Sequence, residues 1–171
     1  MEVEILSALD VEKIPIAKIK EIFFEASSIK EFENQNKKEE FFYRWCGQYL
    51  EKYPSHFLLA FENEELLGYS CSHPDSHLAL EEFSIPGQEL FKSLFDEYPL
   101  HLHINCHLKS RGKGVGKKLI LSQARLNKKG IHIITEKSAD NYGFYRALGF
   151  DREEEAELKG HTLLFMGRKS I

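Results

Sequence analysis

The first third of the chain alternates between short apolar segments and polar connections. An apolar segment around Ile5 predicts a first strand, and apolar residues then recur at helical spacing from Ile14 to about Ser28. The polar stretch 33–40 predicts a solvated connection. Aromatic residues at helical spacing follow it and predict a second helix that ends before Pro54, with its aromatic face packed into the core.

Strands dominate the middle of the chain. Two apolar runs, 56–61 and 66–72, flank a polar turn and predict a β-hairpin. A proline-containing connection and a short helix at 89–95 come next. Apolar and polar residues then alternate from Leu100 to Leu108, which predicts a strand with its apolar residues on one face and three histidines and Asn105 on the other.

Glycines mark the boundaries of the elements in the last third. A glycine-rich turn at 111–116 leads directly into a predicted helix over 117–128. A strand at 131–135 and a short helix at 141–148 follow, and Gly149 closes that helix. Two further strands complete the chain, so the elements predict an α/β (α+β) protein.

Length and charge narrow the possible function classes. One hundred and seventy-one residues, of which 42% are hydrophobic, predict a single domain over residues 1–171 and exclude a disordered chain. A net charge of -4 leaves no excess of cations for a nucleic-acid binder. The amino terminus resembles no signal peptide, and no run approaches the ~18 apolar residues of a membrane span. We therefore expect a cytoplasmic protein with neither nucleic-acid nor membrane partners.

The cysteines and histidines do not predict a metal site. The three cysteines, Cys46, Cys71 and Cys106, lie far apart without CxxC spacing and indicate reduced thiols. His73 and His77 lie close together but have no third ligand nearby in the sequence. We expect no bound metal.

The glycine-rich turn has the chemistry of an anion-binding loop. It contains, in order, Arg111, Gly112, Lys113, Gly114, Val115, Gly116 and Lys117. A loop between a strand and a helix presents unpaired N–H groups and the positive end of the helix dipole, which suit a phosphate or diphosphate. Glycine lets the ligand approach the backbone, and the cations add positive charge. The alternative is a tight turn before a solvated, basic helix start.

Two other phosphate-binding motifs do not match. A Walker loop has the pattern GxxxxGK followed by Ser or Thr, whereas Arg111 stands at the first glycine position and Lys118 follows Lys117. A dinucleotide fingerprint has the pattern GxGxxG, whereas Lys117 occupies its third glycine position. Both classes of nucleotide site are therefore excluded.

Two motifs remain, and they lie within residues 99–150. Arg111, Gly114 and Gly116 form the pattern Arg-x-x-Gly-x-Gly, and residues 141–150 read Asn-Tyr-Gly-Phe-Tyr-Arg-Ala-Leu-Gly-Phe. The first resembles the acyl-CoA loop of the GNAT superfamily of N-acetyltransferases, and the second resembles that family's closing motif, Phe-Tyr-x-x-Leu-Gly-Phe. Residues 98–104 are also similar to the strand entry of the acetyltransferase-like domain attached to O-GlcNAcase.

The resemblance implies a fold and a reaction. The fold is acyl-CoA N-acyltransferase-like, a mixed, twisted central sheet of about six to seven strands flanked by helices. The reaction is direct transfer of an acetyl group from acetyl-CoA to a primary amine of a small molecule or protein, by a monomer or homodimer. A non-catalytic acyl-CoA-binding or protein-interaction module is the alternative, and an unrelated phosphate-binding domain is a third possibility.

The resemblance also assigns the acetyl-CoA contacts. The main chain of Ile104, Asn105 and Cys106 would pair with pantetheine, and an N–H near Cys106 would polarise the thioester carbonyl. The diphosphate would lie on Gly112–Lys117. We expect Cys106 to be a small buried residue and not a nucleophile, because direct attack needs no covalent step.

The closing motif supplies two further candidates. Tyr145 matches the family's tyrosine near the CoA sulfur and would donate a proton to the leaving thiolate as general acid. A tyrosine that only packs its ring is the alternative. The family's CoA-binding asparagine corresponds either to Asn141 or, in an ungapped match, to Ser138, and we favour Asn141.

The proton acceptor varies across the family. His103 is our first choice, because its ordinary pKa of about 6.5 suits proton transfer at cellular pH. His107, Glu81 and Glu82 are alternatives, and for each of the four candidates an ordinary solvated or hydrogen-bonded polar residue is the favoured interpretation. The acidic run at 151–157 could attract a cationic amine, although a solvated strand edge is the favoured interpretation.

Overall fold

The computed structural model describes residues 2–170 and contains seven strands and six α-helices in that range. The strands are β1 (Glu4–Ser7), β2 (Phe57–Glu62), β3 (Glu65–His73), β4 (Leu100–Cys106), β5 (Gly130–Glu136), β6 (Arg152–Leu158) and β7 (His161–Lys169). The helices are α1 (Ile16–Ala26), α2 (Gln35–Phe42), α3 (Gln48–Lys52), α4 (Ser76–Glu82), α5 (Val115–Ala124) and α6 (Tyr142–Ala147).

The strands form one mixed sheet in the order β1-β2-β3-β4-β5-β7-β6. The pairs β1–β2, β2–β3, β5–β7 and β6–β7 are antiparallel, while β4 and β5 are parallel. A mixed sheet with helices agrees with the predicted class, and its seven strands lie within the predicted number. The β2–β3 hairpin and the five elements that follow the glycine loop were also predicted correctly.

The chain divides into two compact units. The first comprises residues 2–72 and 103–123, and the second comprises residues 73–102 and 124–170. A core cluster of the first unit contains Val3, Leu58, Ala60, Leu67, Val115 and Leu119, so β2, β3, α5 and the residue before β1 share buried side chains. A cluster of the second unit contains Phe91, Leu94, Phe95, Tyr98 and Phe165.

Two helical segments were missed in the sequence because their start signals are single capping residues. The stretch 33–40 was predicted to be a solvated connection, but α2 begins at Gln35, where Asn34 Oδ1 accepts a hydrogen bond from Lys37 N at 3.0 Å. The proline-containing connection holds α4, which is capped by Asp75. The predicted helix at 89–95 is a 3₁₀ helix.

The predicted second helix is interrupted by a π-helical turn. Residues 43–47 have π-helical geometry and separate α2 from α3. A π-helical turn leaves main-chain carbonyls without their usual helical donors. Two side chains reach them, because Gln48 Nε2 donates to Arg44 O at 2.6 Å and Cys71 Sγ lies 4.0 Å from Trp45 O.

β4 differs from its prediction in length and in the environment of its histidine face. It ends at Cys106, and Leu108 lies in a 3₁₀ turn with 48% of its surface exposed. The polar face is not solvated either, since His101 is only 3% exposed and its Nδ1 lies 2.8 Å from Gln88 Nε2. Buried polar side chains of the second unit therefore cover the start of this face.

The acidic run forms β6, an edge strand, as its favoured interpretation predicted. Several of its carboxylates have partners within the second unit. Glu155 pairs with Lys137 at 2.7 Å, and Glu153 accepts a hydrogen bond from Tyr142 Oη at 2.9 Å.

Candidate functional site

The glycine loop leaves its backbone open on the approach to α5. Gly112 and Gly114 have φ angles of +77° and +75°, in the left-handed region that favours glycine. A Cβ atom placed on either residue would have no other atom within 4 Å. α5 begins immediately afterwards at Val115, which is buried in the core of the first unit. The site therefore fits a group that needs direct access to main-chain N–H groups at a helix start.

The turn before this loop is firmly anchored. Ser110 is buried, and its Oγ lies 2.7 Å from His107 O and 3.1 Å from Leu67 O. Lys113 N donates to Ser110 O at 3.2 Å, and Lys118 N donates to Gly114 O at 3.0 Å. These contacts hold both ends of the loop while its two glycines remain open.

Positive charge surrounds the loop as predicted. Arg111, Lys113, Lys117 and Lys118 are all exposed. Lys113 Nζ lies 3.5 Å from Glu62 Oε2, and Lys118 Nζ donates to Val3 O at 3.2 Å. The exposed side chains of Arg111 and Lys117 therefore extend the anion-binding character of the main chain.

The end of β4 lies directly before this turn. Ile104, Asn105 and Cys106 are half-buried. The parallel pairs that join β4 to β5 are Leu100 with Ile131 and His101 with His132, so the three residues follow the part of β4 that pairs with β5. Burial raises the pKa of the Cys106 thiol to about 11, which keeps it protonated at neutral pH.

The environment of His103 disfavours the predicted role of proton acceptor. Its Nε2 lies 3.1 Å from Tyr49 Oη, and the Trp45 ring packs edge-on against it with centroids 5.6 Å apart. Desolvation by burial lowers the pKa of His103 to about 4. An imidazole that resists protonation is a weak proton acceptor near neutral pH.

His107 lies between two carboxylates of α1. Its Nε2 lies 3.6 Å from Glu21 Oε1, and its Nδ1 lies 3.6 Å from Glu25 Oε2. Nδ1 also accepts a hydrogen bond from Lys109 N at 3.3 Å, which caps the turn before the glycine loop.

The remaining predicted residues belong to the second unit. Tyr145 lies on α6 with only 7% of its surface exposed, and its ring packs against Phe144 and Phe150. Asn141 precedes α6 and is half-buried, with its side chain 3.4 Å from Thr135 Oγ1, whereas Ser138 is exposed. The half-buried position of Asn141 and its contact with Thr135 favour it over Ser138 as a side chain held in place for CoA.

The other acid–base and metal candidates have structural partners. Glu82 lies 3.1 Å from Nε2 of the buried His73, and His77 lies 3.0 Å from Asp96, while Glu81 is exposed on α4. Within the described part of the chain, no three His, Cys, Asp or Glu side chains are grouped as a metal site requires. Among the helices of residues 2–170, none combines the length and apolar composition needed to cross a bilayer.

Several residues next to the candidate site escaped the sequence analysis. Tyr49 and Trp45 contact His103, and Tyr69 contacts Asn105, although each lies far from its partner along the chain. Gly68 lies inside β3, and a glycine within a strand often marks a close approach of two backbones. Gly68 was therefore the one residue in the sequence that could have indicated such a contact.

We expect the free energy of unfolding to depend on pH because of His103. Its pKa is 6.5 when unfolded and about 4 when folded, so folding favours the neutral ring. The resulting stabilisation is present above pH 6.5 and is lost as the pH falls toward 4, by at most about 3 kcal/mol. Urea unfolding at several pH values between 7 and 4 would measure it. His103→Gln should flatten this dependence, and equal slopes for the two proteins would contradict the assignment.

Comparison with known proteins gives one family match. The model described as the Acetyltransferase (GNAT) family matches residues 17–150, which is most of the chain. Comparison with curated protein sequences finds no significant match.

Three solved structures illustrate the similarity in fold. The chain resembles SsHAT at 16% identity and a TM-score of 0.70, with all of both chains covered. It resembles a chain of the NatC complex bound to Gag peptide and CoA at 15% identity and a TM-score of 0.62, again with full coverage. It also resembles yncA from Salmonella typhimurium, solved with its cofactor acetyl-CoA, at 19% identity and a TM-score of 0.56, over 99% of this chain and 93% of that one.

These similarities confirm the predicted acyl-CoA N-acyltransferase-like fold. The narrower resemblance to the domain attached to O-GlcNAcase stays a prediction. The family match includes the glycine loop and the Tyr145 helix, the two motifs that led to the prediction. The chain belongs to the GNAT acetyltransferase family.

Proposed function

We propose that the protein binds acetyl-CoA and transfers its acetyl group to a primary amine of a small molecule or protein by direct attack. The observation that carries this proposal is the open glycine loop, with left-handed Gly112 and Gly114 directly before α5. Loops of this kind bind diphosphates through main-chain N–H groups. The relatives solved with CoA and with acetyl-CoA add support.

The residues of the first unit would bind and orient the co-substrate. Acetyl-CoA supplies the thioester whose acetyl group is transferred. Gly112–Lys117 would bind the diphosphate, with Arg111 adding positive charge. Main-chain groups of Ile104, Asn105 and Cys106 would bind the pantetheine part, and the N–H near Cys106 would favour negative charge on the thioester oxygen.

Two side chains would hold protons. Tyr145 Oη would carry the proton taken up by the departing thiolate, because a phenol is protonated at neutral pH. Asn141 would contribute a further contact to CoA. Of the four predicted proton acceptors, His107 lies directly between the end of β4 and the turn before the glycine loop, so we propose it as the base in place of His103.

A non-catalytic acyl-CoA-binding module is the second candidate. The lowered pKa of His103 favours it, because the base predicted first from the sequence is a weak proton acceptor in this environment. Both candidate functions include acetyl-CoA binding. They differ in whether the acetyl group is then transferred to an amine.

Release of CoA in the presence of amines tests the proposed reaction. Acetyl-CoA would be incubated with the protein and, separately, a peptide with a free amino terminus, a lysine peptide, a polyamine, an amino sugar and an aminoglycoside. We expect release of the CoA thiol with at least one acceptor, and mass spectrometry should show its N-acetylated product. Tight acetyl-CoA binding without release for any acceptor class would favour the binding module.

The domain organisation, oligomeric state and location of the protein are further parts of the proposal. We propose that residues 1–171 act as a single domain, as a monomer or homodimer, without a metal. The three cysteines are free, which supports a reducing, cytoplasmic location.

A further inference from the structure

Three consecutive residues of β3 contact the end of β4 and the turn that follows it. The first is Leu67, whose carbonyl oxygen accepts a hydrogen bond from His107 N at 2.8 Å. The same oxygen lies 3.1 Å from the buried hydroxyl of Ser110. One carbonyl therefore contacts both the residue after β4 and the turn that leads into the glycine loop.

The second residue, Gly68, allows the two backbones to approach closely. A Cβ atom on Gly68 would lie 2.9 Å from Asn105 O, 3.0 Å from Cys106 Sγ and 3.2 Å from Cys106 Cα. Real Cβ atoms essentially never come closer than 3.0 Å to another heavy atom, so alanine would push β4 away. The main chain of Asn105 and Cys106 is thus positioned directly against β3.

The third residue, Tyr69, fixes the side chain of Asn105. Its Oη accepts a hydrogen bond from Asn105 Nδ2 at 2.8 Å, and its ring is fully buried and stacked on Phe57 with centroids 5.3 Å apart. Burial raises the pKa of Tyr69 well above 10, and a hydrogen bond with the Cys46 thiol acts in the same direction. The hydroxyl therefore stays protonated while it accepts the hydrogen bond from Asn105.

We propose that Tyr69 is a positioning residue for acyl-CoA binding, which acts through Asn105 to hold the main chain of Ile104–Cys106 in the orientation that pairs with pantetheine. The inference rests on the proposed function. The ring alone accounts for the packing against Phe57, whereas the hydroxyl contacts the strand segment assigned to the ligand.

Comparison of two ligands tests this role. CoA reaches both the glycine loop and the end of β4, whereas ADP carries the diphosphate without pantetheine. The substitution Tyr69→Phe keeps the ring and removes the acceptor for Asn105 Nδ2. We expect calorimetry to show that the Kd for CoA rises about tenfold, the effect of losing roughly one positioning hydrogen bond, while the Kd for ADP is unchanged.

Two further variants separate positioning from loss of stability. Tyr98→Phe removes the hydroxyl of a buried tyrosine in the second unit and should leave both affinities unchanged. Asn105→Ala should weaken CoA binding to a similar extent, and the double variant with Tyr69→Phe should be no weaker than either single variant, because both changes break one hydrogen bond.

The possible results test the positioning role of Tyr69 separately from the proposed function. An unchanged CoA affinity in Tyr69→Phe, or an equal loss for CoA and ADP, would overturn the positioning role and leave the proposed function standing. Failure of the unaltered protein to bind CoA at all would overturn both.

Discussion

Replacing Gly114 with alanine should weaken acetyl-CoA binding about a hundredfold. The residue has a φ of +75°, where an L-alanine is strained by about 1–2 kcal/mol. Relief of that strain would rotate the main-chain N–H groups away from the position that receives the diphosphate. The methyl group would also occupy the open space on the approach to the loop. A hundredfold loss corresponds to about 2.7 kcal/mol, which strain and lost contacts together can supply.

Gly160 provides a matched control. It lies between β6 and β7 with a φ of +84°, and a Cβ atom there would also have no other atom within 4 Å. Gly160→Ala should lower the free energy of unfolding about as much as Gly114→Ala, with acetyl-CoA affinity preserved. Equal affinities for the two variants, measured by calorimetry, would show that the loop does not hold the ligand.

The substitution Tyr145→Phe should lower kcat about a hundredfold, within the range typical of a lost general acid. The affinity for acetyl-CoA should change less than about twofold, because the phenyl ring keeps the same shape. Tyr145 is buried and packs against Phe144 and Phe150, and phenylalanine preserves these ring contacts. Release of CoA with a saturating amine measures kcat, and calorimetry measures the affinity.

Tyr142 is the matched control on the same helix. It is 42% exposed, and its hydroxyl donates to Glu153 Oε1 at 2.9 Å. Tyr142→Phe should retain the kcat of the unaltered protein. If Tyr145→Phe also retained it, another group would supply the proton and the assignment to Tyr145 would be wrong.

Elements determined by a local sequence pattern could be predicted from the sequence. Alternation predicted β4, and glycines beside cations predicted the loop before α5, because strand geometry and left-handed turns depend on residues that are close in the chain. The two family motifs then identified the fold. In the structure, the glycine loop and residues 103–106 of β4 both belong to the first unit.

Contacts between distant parts of the chain could not be predicted from the sequence. Tyr69 lies 36 residues before Asn105, and Tyr49 lies 54 residues before His103, so no local spacing relates either pair. Alternation likewise identified a polar face on β4 without showing what covers it. His103 was therefore chosen as the base on its ordinary pKa, although burial lowers that pKa to about 4 in the folded protein.

The π-helical turn was missed for a related reason. Its stability depends on donors that reach its main-chain carbonyls from elsewhere, including the Cys71 thiol of β3. Aromatic residues at helical spacing predicted one continuous helix there. The extra residue in the turn becomes visible only once the tertiary partners are in place.

Calorimetric titration of the unaltered protein with acetyl-CoA, ATP and NAD tests the central claim most directly. If the loop and β4 bind an acyl-CoA, acetyl-CoA should saturate a single site, and ATP and NAD should bind at least about tenfold more weakly, since neither carries pantetheine. Absence of acetyl-CoA binding at saturating concentration, or ATP binding of equal strength, would contradict the account.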